Sequence, residues 1–235
     1  MSAHAEADHH HHGPITNWPT DPQMGKASPG KIAMWFFLLS DAMSFGGLLL
    51  AYAILRARAD VWAHPWEPEE FGLEFTGGLT FLLILSSVSM VLAVYYAKLN
   101  DQKQTTKWLA LTTLGGFLFL CGQMQEYFGA FSFLFGHAGG LTGYEQDCAV
   151  AATKCLTWGD SARASTFYII TSFHGLHVLT GTIYLACVTI GNMRGKYLEG
   201  NFSPVEICGL FWHFVDLVWI LVFTFVYLIP LPEAG

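Results

Sequence analysis

The sequence predicts an all-α protein, an integral membrane bundle of five transmembrane helices. Of its 235 residues, 53% are hydrophobic and only 12% are charged, whereas a soluble domain carries about 25% charged residues. A helix needs about 20 apolar residues to cross a bilayer. Five segments reach that length, and they cover residues 32–55, 75–97, 108–128, 167–190 and 207–229.

The chain divides into a tail and a membrane domain. Residues 1–31 form a polar tail rich in His, with four consecutive histidines at 9–12. This tail lacks the apolar core of a signal peptide, and a disordered tail is favoured over a tag or a weak metal-binding tract. Residues 32–230 hold all five predicted spans.

Positive charges predict the orientation of the bundle, because cytoplasmic loops are enriched in Lys and Arg. The tail and the loops at 98–107 and 191–206 share one side of the membrane and carry seven such residues, against four on the other side. The N-terminus is therefore expected in the cytoplasm and the C-terminus in the periplasm. No basic patch is present, which argues against a nucleic-acid partner.

Two loop cysteines and three pairs of glycines are open to interpretation. Cys148 and Cys155 lie in the long loop at 129–165, which is expected outside, and either a disulfide or a pair of free thiols fits them. Consecutive glycines occur inside the first, second and third spans, at 46–47, 77–78 and 115–116. They are typical of close helix packing rather than of hinges.

Seven ionisable residues lie within the spans or at their edges. Such groups are expected to face the bundle interior and to pair with one another. They are Asp41, Glu126, His174, His177, Glu206, His213 and Asp216.

Depth in the membrane decides which of these pairs are possible. At about 1.5 Å per residue, Asp41 and Asp216 both lie roughly 13 Å from the inner surface, and His213 lies one turn shallower. They are expected to form an inner polar cluster if the first and fifth helices touch. His174 and His177 share a helix face and form a mid-membrane pair. Glu126 and Glu206 lie near opposite surfaces, where they can bind lipid headgroups or neighbouring subunits.

The histidines do not predict a redox centre in this chain. A haem held by two imidazoles needs histidines on different helices at matching depth. His174 and His177 share a helix, and His213 is about 9 Å shallower by the same rise. Copper prefers Cys, Met and His together, and no span offers that grouping, so no metal site is expected. A stand-alone proton-coupled carrier remains an alternative, although five spans cannot form two equal repeats.

Four segments resemble subunit III of the haem-copper terminal oxidases. The fourth span contains STFYIITSFHGLHVLTGT (165–182), which is similar to the most distinctive segment of that family. SPVEICGLFWHFVDLVWILVFTFVYL (203–228) resembles its last helix. Gln125-Glu126-Tyr127 resembles its glutamate–tyrosine pair, and FFLLSDAMSF (36–45) resembles the segment with its membrane carboxylate. The resemblance covers residues 32–230.

The resemblance implies the five-helix bacterial form of this subunit, with Asp41 where many members have Glu. It implies an accessory subunit of cytochrome c oxidase in the bacterial inner membrane, with no redox centre of its own. Haem and copper are then expected in subunit I, which this chain flanks, and electrons enter through subunit II. The chain is expected to bind phospholipid and to support proton uptake and stability during turnover. Subunit III of a quinol oxidase is the alternative.

Overall fold

The computed structural model describes residues 28–59, 72–128, 162–197 and 202–229. These ranges contain helices and no strands, which confirms the predicted all-α class for this part of the chain. The helices are α1 (Pro29–Arg58), α2 (Gly72–Lys98), α3 (Gln102–Phe128), α4 (Ala162–Met193) and α5 (Ser203–Val222). A π-helical turn, Phe223–Leu228, continues α5.

Four of the described helices are long and apolar enough to cross a membrane, namely α1, α2, α4, and α5 with its π-helical turn. The third predicted span, 108–128, corresponds to α3, which has 27 residues. Its composition alone does not mark it as a span, because it begins with QKQTTK and ends with the polar stretch QMQEY.

Local signals set the helix ends. Ser28 caps α1, where its Oγ accepts a hydrogen bond from the backbone N–H of Lys31 at 3.4 Å, and Pro29 occupies the first turn. α2 ends before Asn100, whose φ of 58° is left-handed. Asp101 then caps α3 by accepting from the N–H of Gln104 at 3.1 Å. The short α2–α3 connection therefore makes these two helices antiparallel neighbours.

α1 and α5 run parallel and lie side by side along their whole length. The hydroxyls of Ser28 and Ser203 are 3.3 Å apart at one end. At the other end, Arg56 Nη2 donates to the carbonyl oxygen of Ile229 at 3.1 Å. α2 runs antiparallel to α5, since Lys98 at its C-terminus reaches Glu206 in the first turn of α5. We call this end of the bundle the lysine end and the opposite end the Glu126 end.

The core lies where α5 meets α2, α3 and α4. Trp212 and Trp219 of α5 are at most 1% exposed. A Cβ on Gly116 would lie 2.5 Å from Cη2 of Trp212 and 2.6 Å from Oγ1 of Thr182, so only glycine allows α3 to approach this closely. The predicted close packing is therefore confirmed for the glycine pair at 115–116.

The other two glycine pairs do not pack against another described helix. A Cβ added at Gly46, Gly47, Gly77 or Gly78 would meet no described heavy atom within 4 Å. On α1 this follows from the small share of the helix that is covered, because only Leu38, Asp41, Phe45 and Tyr52 are buried. Its large apolar side chains, such as Phe36 (70% exposed) and Met43 (75% exposed), face outward, as in a helix surrounded by lipid or by other subunits.

Candidate functional site

Asp41 of α1 pairs with His177 of α4 inside the apolar part of the bundle. Oδ1 of Asp41 lies 3.2 Å from Nε2 of His177, and the side chains are only 9% and 16% exposed. Nδ1 of His177 lies 2.7 Å from the carbonyl oxygen of Phe173. A carbonyl oxygen can only accept, so Nδ1 carries a proton. One further proton is then shared between Nε2 and the carboxyl, which makes the pair either ionic or neutral.

This pairing corrects the expected cluster of Asp41, His213 and Asp216. α1 does touch α5, as such a cluster would require. However, Asp41 lies on the side of α1 that faces α4, so its partner is His177. The hydrogen-bonding partner of His213 comes from α2.

His174 lies one turn before His177 on α4 and is fully buried. Its ring stacks on the indole of Trp219, with centroids 4.8 Å apart and planes 30° apart, and meets the ring of Phe119 edge-on at 6.0 Å. Neither ring nitrogen has a hydrogen-bond partner among the described residues. The two histidines thus share a helix but not a role, because His177 holds a proton with Asp41 whereas His174 packs like an aromatic residue.

A second polar group joins α2 to α5. The hydroxyl of Ser87 lies 2.6 Å from Nδ1 of His213 and also interacts with the carboxyl of Asp216. Asp216 is 7% exposed, and its Oδ1 has no hydrogen-bond partner within the part of the chain that the structure describes. One serine hydroxyl therefore satisfies parts of two ionisable side chains that lie three residues apart on α5.

Glu126 organises the opposite end of the bundle. Its Oε1 accepts hydrogen bonds from the hydroxyls of Tyr227 at 2.9 Å and Thr76 at 3.3 Å, which links α3 to α2 and to the π-helical turn. Next to it, Gln123 donates to the carbonyl oxygen of Thr171 at 3.0 Å and so links α3 to α4. Glu126 is only 7% exposed. These bonds hold the carboxyl inside the bundle, and the expected binding of a lipid headgroup or a neighbouring subunit stays a prediction.

Glu206 lies at the lysine end, as its position in the first turn of α5 requires. Its carboxylate oxygens are 2.7 Å from Nζ of Lys31 and 3.4 Å from Nζ of Lys98. One carboxylate thereby joins the ends of α1, α2 and α5. Its half-buried side chain keeps it near the surface, where the sequence placed it.

Comparisons with known proteins identify the family. A family model described as "Cytochrome c oxidase subunit III" matches residues 141–230, a range that includes α4 and α5. Cytochrome c oxidase subunit 3 of Synechocystis sp. is 34% identical over 194 residues, which cover 82% of this chain and 72% of the relative. The chain belongs to the cytochrome c oxidase subunit III family. Cytochrome c oxidase subunit 3 of Thermostichus vulcanus is 31% identical over 203 residues, covering 84% of this chain and 86% of that protein.

Some relatives are named as subunits of a quinol oxidase rather than of a cytochrome c oxidase. The probable quinol oxidase subunit 3 of Staphylococcus aureus is 28% identical over 215 residues, covering 92% of this chain and 96% of that protein. The family resemblance seen in the sequence is thus confirmed. This membrane protein is a subunit III of a haem-copper oxidase and works in a complex with other oxidase subunits.

The sequence did not predict several of these polar partners. They are hydroxyl and amide residues within the helices, and their occurrence inside apolar spans could have indicated them. These residues are Thr76, Ser87, Gln123 and Thr171. Within the described ranges, no three His, Cys, Asp or Glu side chains are grouped as metal ligands. Cys148, Cys155, the first 27 residues of the tail and residues 129–161 of the long loop lie outside the described residues.

Glu126→Ala should weaken the Glu126 end of this subunit. The hydroxyls of Tyr227 and Thr76 lose their shared acceptor in a buried place, and each unsatisfied polar group costs about 1–3 kcal/mol. We expect a lower free energy of unfolding in a mild-detergent and SDS titration. Glu126→Gln keeps an acceptor oxygen and should retain most of the stability. Equal stability of the alanine variant and the wild type would show that these bonds contribute nothing.

Proposed function

We propose that this chain is the accessory subunit III of a proton-pumping cytochrome c oxidase in the bacterial inner membrane. The observation that carries the proposal is 34% and 31% identity, over more than four fifths of the chain, to two proteins named cytochrome c oxidase subunit 3. The chain crosses the membrane five times, with its N-terminus in the cytoplasm. The crossing by α3 is supported by its bonds to α2 at the Glu126 end and to Asn192 of α4 at the lysine end.

The redox chemistry belongs to the partner subunits, with haem and copper in subunit I and electron entry through subunit II. The two histidines of α4 already contact other groups of this chain, which supports this division. His177 has both ring nitrogens occupied, by Asp41 and by the carbonyl oxygen of Phe173, and the ring of His174 stacks on Trp219. Subunit III flanks subunit I, binds phospholipid along its apolar exterior, and sustains proton uptake and stability during turnover.

Copurification tests the proposal. The oxidase is isolated in mild detergent through an affinity tag on this chain. We expect a complex that shows the visible absorbance of its haems and oxidises reduced cytochrome c. Isolation of the chain alone, with proton-coupled uptake after reconstitution in vesicles, would instead establish the stand-alone carrier.

Asp41→Asn tests the role of the shared proton. The amide can still hydrogen-bond to His177, but it cannot exchange a proton with the ring, so assembly should be unchanged. We expect haem content equal to that of the wild type and an effect confined to proton uptake or to the rate of inactivation during turnover. Asp41→Glu restores a carboxyl and is the matched control. Loss of haem from the asparagine variant would contradict an accessory role for Asp41.

Subunit III of a quinol oxidase is the second candidate, favoured by the 28% identity that spans 96% of the staphylococcal relative. The donor enters through another subunit, so the two candidates differ in what the purified complex oxidises. Oxidation of a quinol, without oxidation of cytochrome c and without a binuclear copper motif in the neighbouring subunit, would select the quinol oxidase.

A further inference from the structure

Arg163 in the first turn of α4 is a buried cation. It is only 8% exposed, so more than nine tenths of it is enclosed. Its backbone carbonyl oxygen accepts from the hydroxyl of Thr166 at 3.1 Å, but its guanidinium makes no hydrogen bond or ion pair with any residue that the structure describes. A buried charge is costly unless it is paired and hydrogen-bonded. Arg163 therefore indicates an anion that binds from outside the chain.

A second arginine lies near this guanidinium. Among the described residues, the groups that act on Arg163 electrostatically are the phenol of Tyr52 and the guanidinium of Arg56, both in the last two turns of α1. Arg56 is held in place at this end, because its Nη2 donates to the carbonyl oxygen of Ile229 at 3.1 Å. Two guanidinium groups repel each other unless an anion lies close to both. We call Arg163, Arg56 and Tyr52 the arginine site.

The arginine site can be reached from the surface. The described side chains include six fully enclosed polar atoms without a partner, and none of them is a nitrogen of Arg163. The guanidinium is therefore not sealed inside the bundle. Arg56, at the edge of the site, is half-buried. An anion can thus approach both cations without any rearrangement of the helices.

The depth of the site matches the headgroup region of a bilayer. Arg163 precedes the predicted span at 167–190 by four residues, or about 6 Å at 1.5 Å per residue. The headgroup region is about 5–7 Å thick on each side of the hydrocarbon core. Closer to the membrane centre the surface of both helices is apolar, since Ala53 of α1 and Ile169 of α4 are exposed. Acyl chains can lie on that surface while a phosphate group lies at the arginines.

We propose that the arginine site binds the phosphate group of an anionic phospholipid in the leaflet at the Glu126 end. Guanidinium groups bind phosphate oxygens through paired N–H donors, and the hydroxyl of Tyr52 supplies a further donor. The inference deepens the phospholipid binding of the proposed function and rests on it. It places one lipid at a defined position, between the ends of α1 and α4.

Arg163→Gln in the assembled oxidase tests this site, with Arg58→Gln as the matched control. Both variants remove one positive charge at the same end of the bundle, but Arg58 is exposed and is not among the groups that act on Arg163. The purified complex is delipidated in mild detergent and titrated with phosphatidylglycerol, and native mass spectrometry counts the bound lipid. We expect Arg163→Gln to weaken binding about tenfold and Arg58→Gln to leave it unchanged.

Equal affinity of Arg163→Gln and the wild type, or equal loss in both glutamine variants, would overturn the proposal. The titration is repeated with an excess of inorganic phosphate. Displacement of the lipid by inorganic phosphate would assign the site to the free anion and overturn the lipid as its ligand. If the wild-type chain fails to copurify with the oxidase, the proposed function itself fails, whereas the arginine site can fail in an intact complex.

Arg163→Lys supplies a second measurement that does not depend on removal of the charge. It keeps the cation but loses the paired donors, so its affinity for phosphatidylglycerol should lie between those of the wild type and Arg163→Gln. Its new amine also reports on a protein partner, because a carbodiimide joins an amine to a carboxylate in contact with it. A cross-link from this position to an acidic side chain of another oxidase subunit would overturn the lipid as the occupant.

Discussion

Gly116→Leu is expected to disrupt the centre of the bundle. An added Cβ at this position would lie 2.5 Å from Trp212 and 2.6 Å from Thr182, before the rest of the leucine side chain is placed. Trp212 is 1% exposed and donates to Ser86, so it cannot turn away without losing that bond. Overpacking of this kind typically costs about 1–3 kcal/mol, and the rigid neighbours here place this site at the upper end of that range. The free energy of unfolding, measured by SDS titration in mild detergent, should fall by about 3 kcal/mol, and less subunit should assemble into the oxidase.

Gly46→Leu is the control for this substitution. It makes the same chemical change in a helix, at a position where an added Cβ would meet no described heavy atom within 4 Å. Its unfolding should match the wild type or exceed it slightly, because leucine is a better helix former than glycine by about 1 kcal/mol. If the two leucine variants unfold alike, the close approach of α3 to Trp212 does not limit stability.

Trp219→Ala should lower the free energy of unfolding by a similar amount, because this indole of α5 contacts three other helices. It is fully buried, contacts the rings of His174 and Phe119 at 4.8 and 4.9 Å, and donates to the hydroxyl of Thr80 at 2.9 Å. Truncation of a buried tryptophan costs about 3–5 kcal/mol. The same SDS titration measures this loss.

Trp219→Phe separates the two contributions of the indole. It keeps an aromatic ring against His174 and removes only the hydrogen bond to Thr80, which is worth about 1 kcal/mol. Its loss should therefore be a fraction of that of the alanine variant. Similar losses for both variants would assign the effect to the hydrogen bond rather than to the stack.

The fold was predictable because the length of an apolar run decides whether a helix can cross a bilayer. Positions along a helix axis were predictable for the same reason, since the rise per residue is constant. The partner of Asp41, in contrast, was not predictable from the sequence. α1 touches both α4 and α5, and depth alone does not say which of them a given side chain faces. His177 and the Asp216 region both satisfied the depth condition, and only packing selected His177.

The three glycine pairs show the same limit in a simpler way. Each is Gly-Gly within an apolar helix, yet only the pair at 115–116 lies against another described helix. The dipeptide reveals that close approach is possible, whereas the position of the neighbouring helix decides whether it happens. Polar partners such as Ser87 were missed because a serine in a membrane helix usually bonds to its own backbone.

The π-helical turn at the end of α5 has a consequence for how this segment can evolve. Its bonding pattern, in which the N–H of Ile229 reaches the carbonyl oxygen of Thr224 at 3.2 Å, accommodates one more residue per turn than an α-helix. Within this turn, the ring of Tyr227 lies 6.2 Å from that of Trp219, and its hydroxyl donates to Oε1 of Glu126. A lineage that deleted a single codon here would regain a regular helix and swing the tyrosine away from its acceptor. Indels in this stretch should therefore be tolerated only together with a change at Glu126.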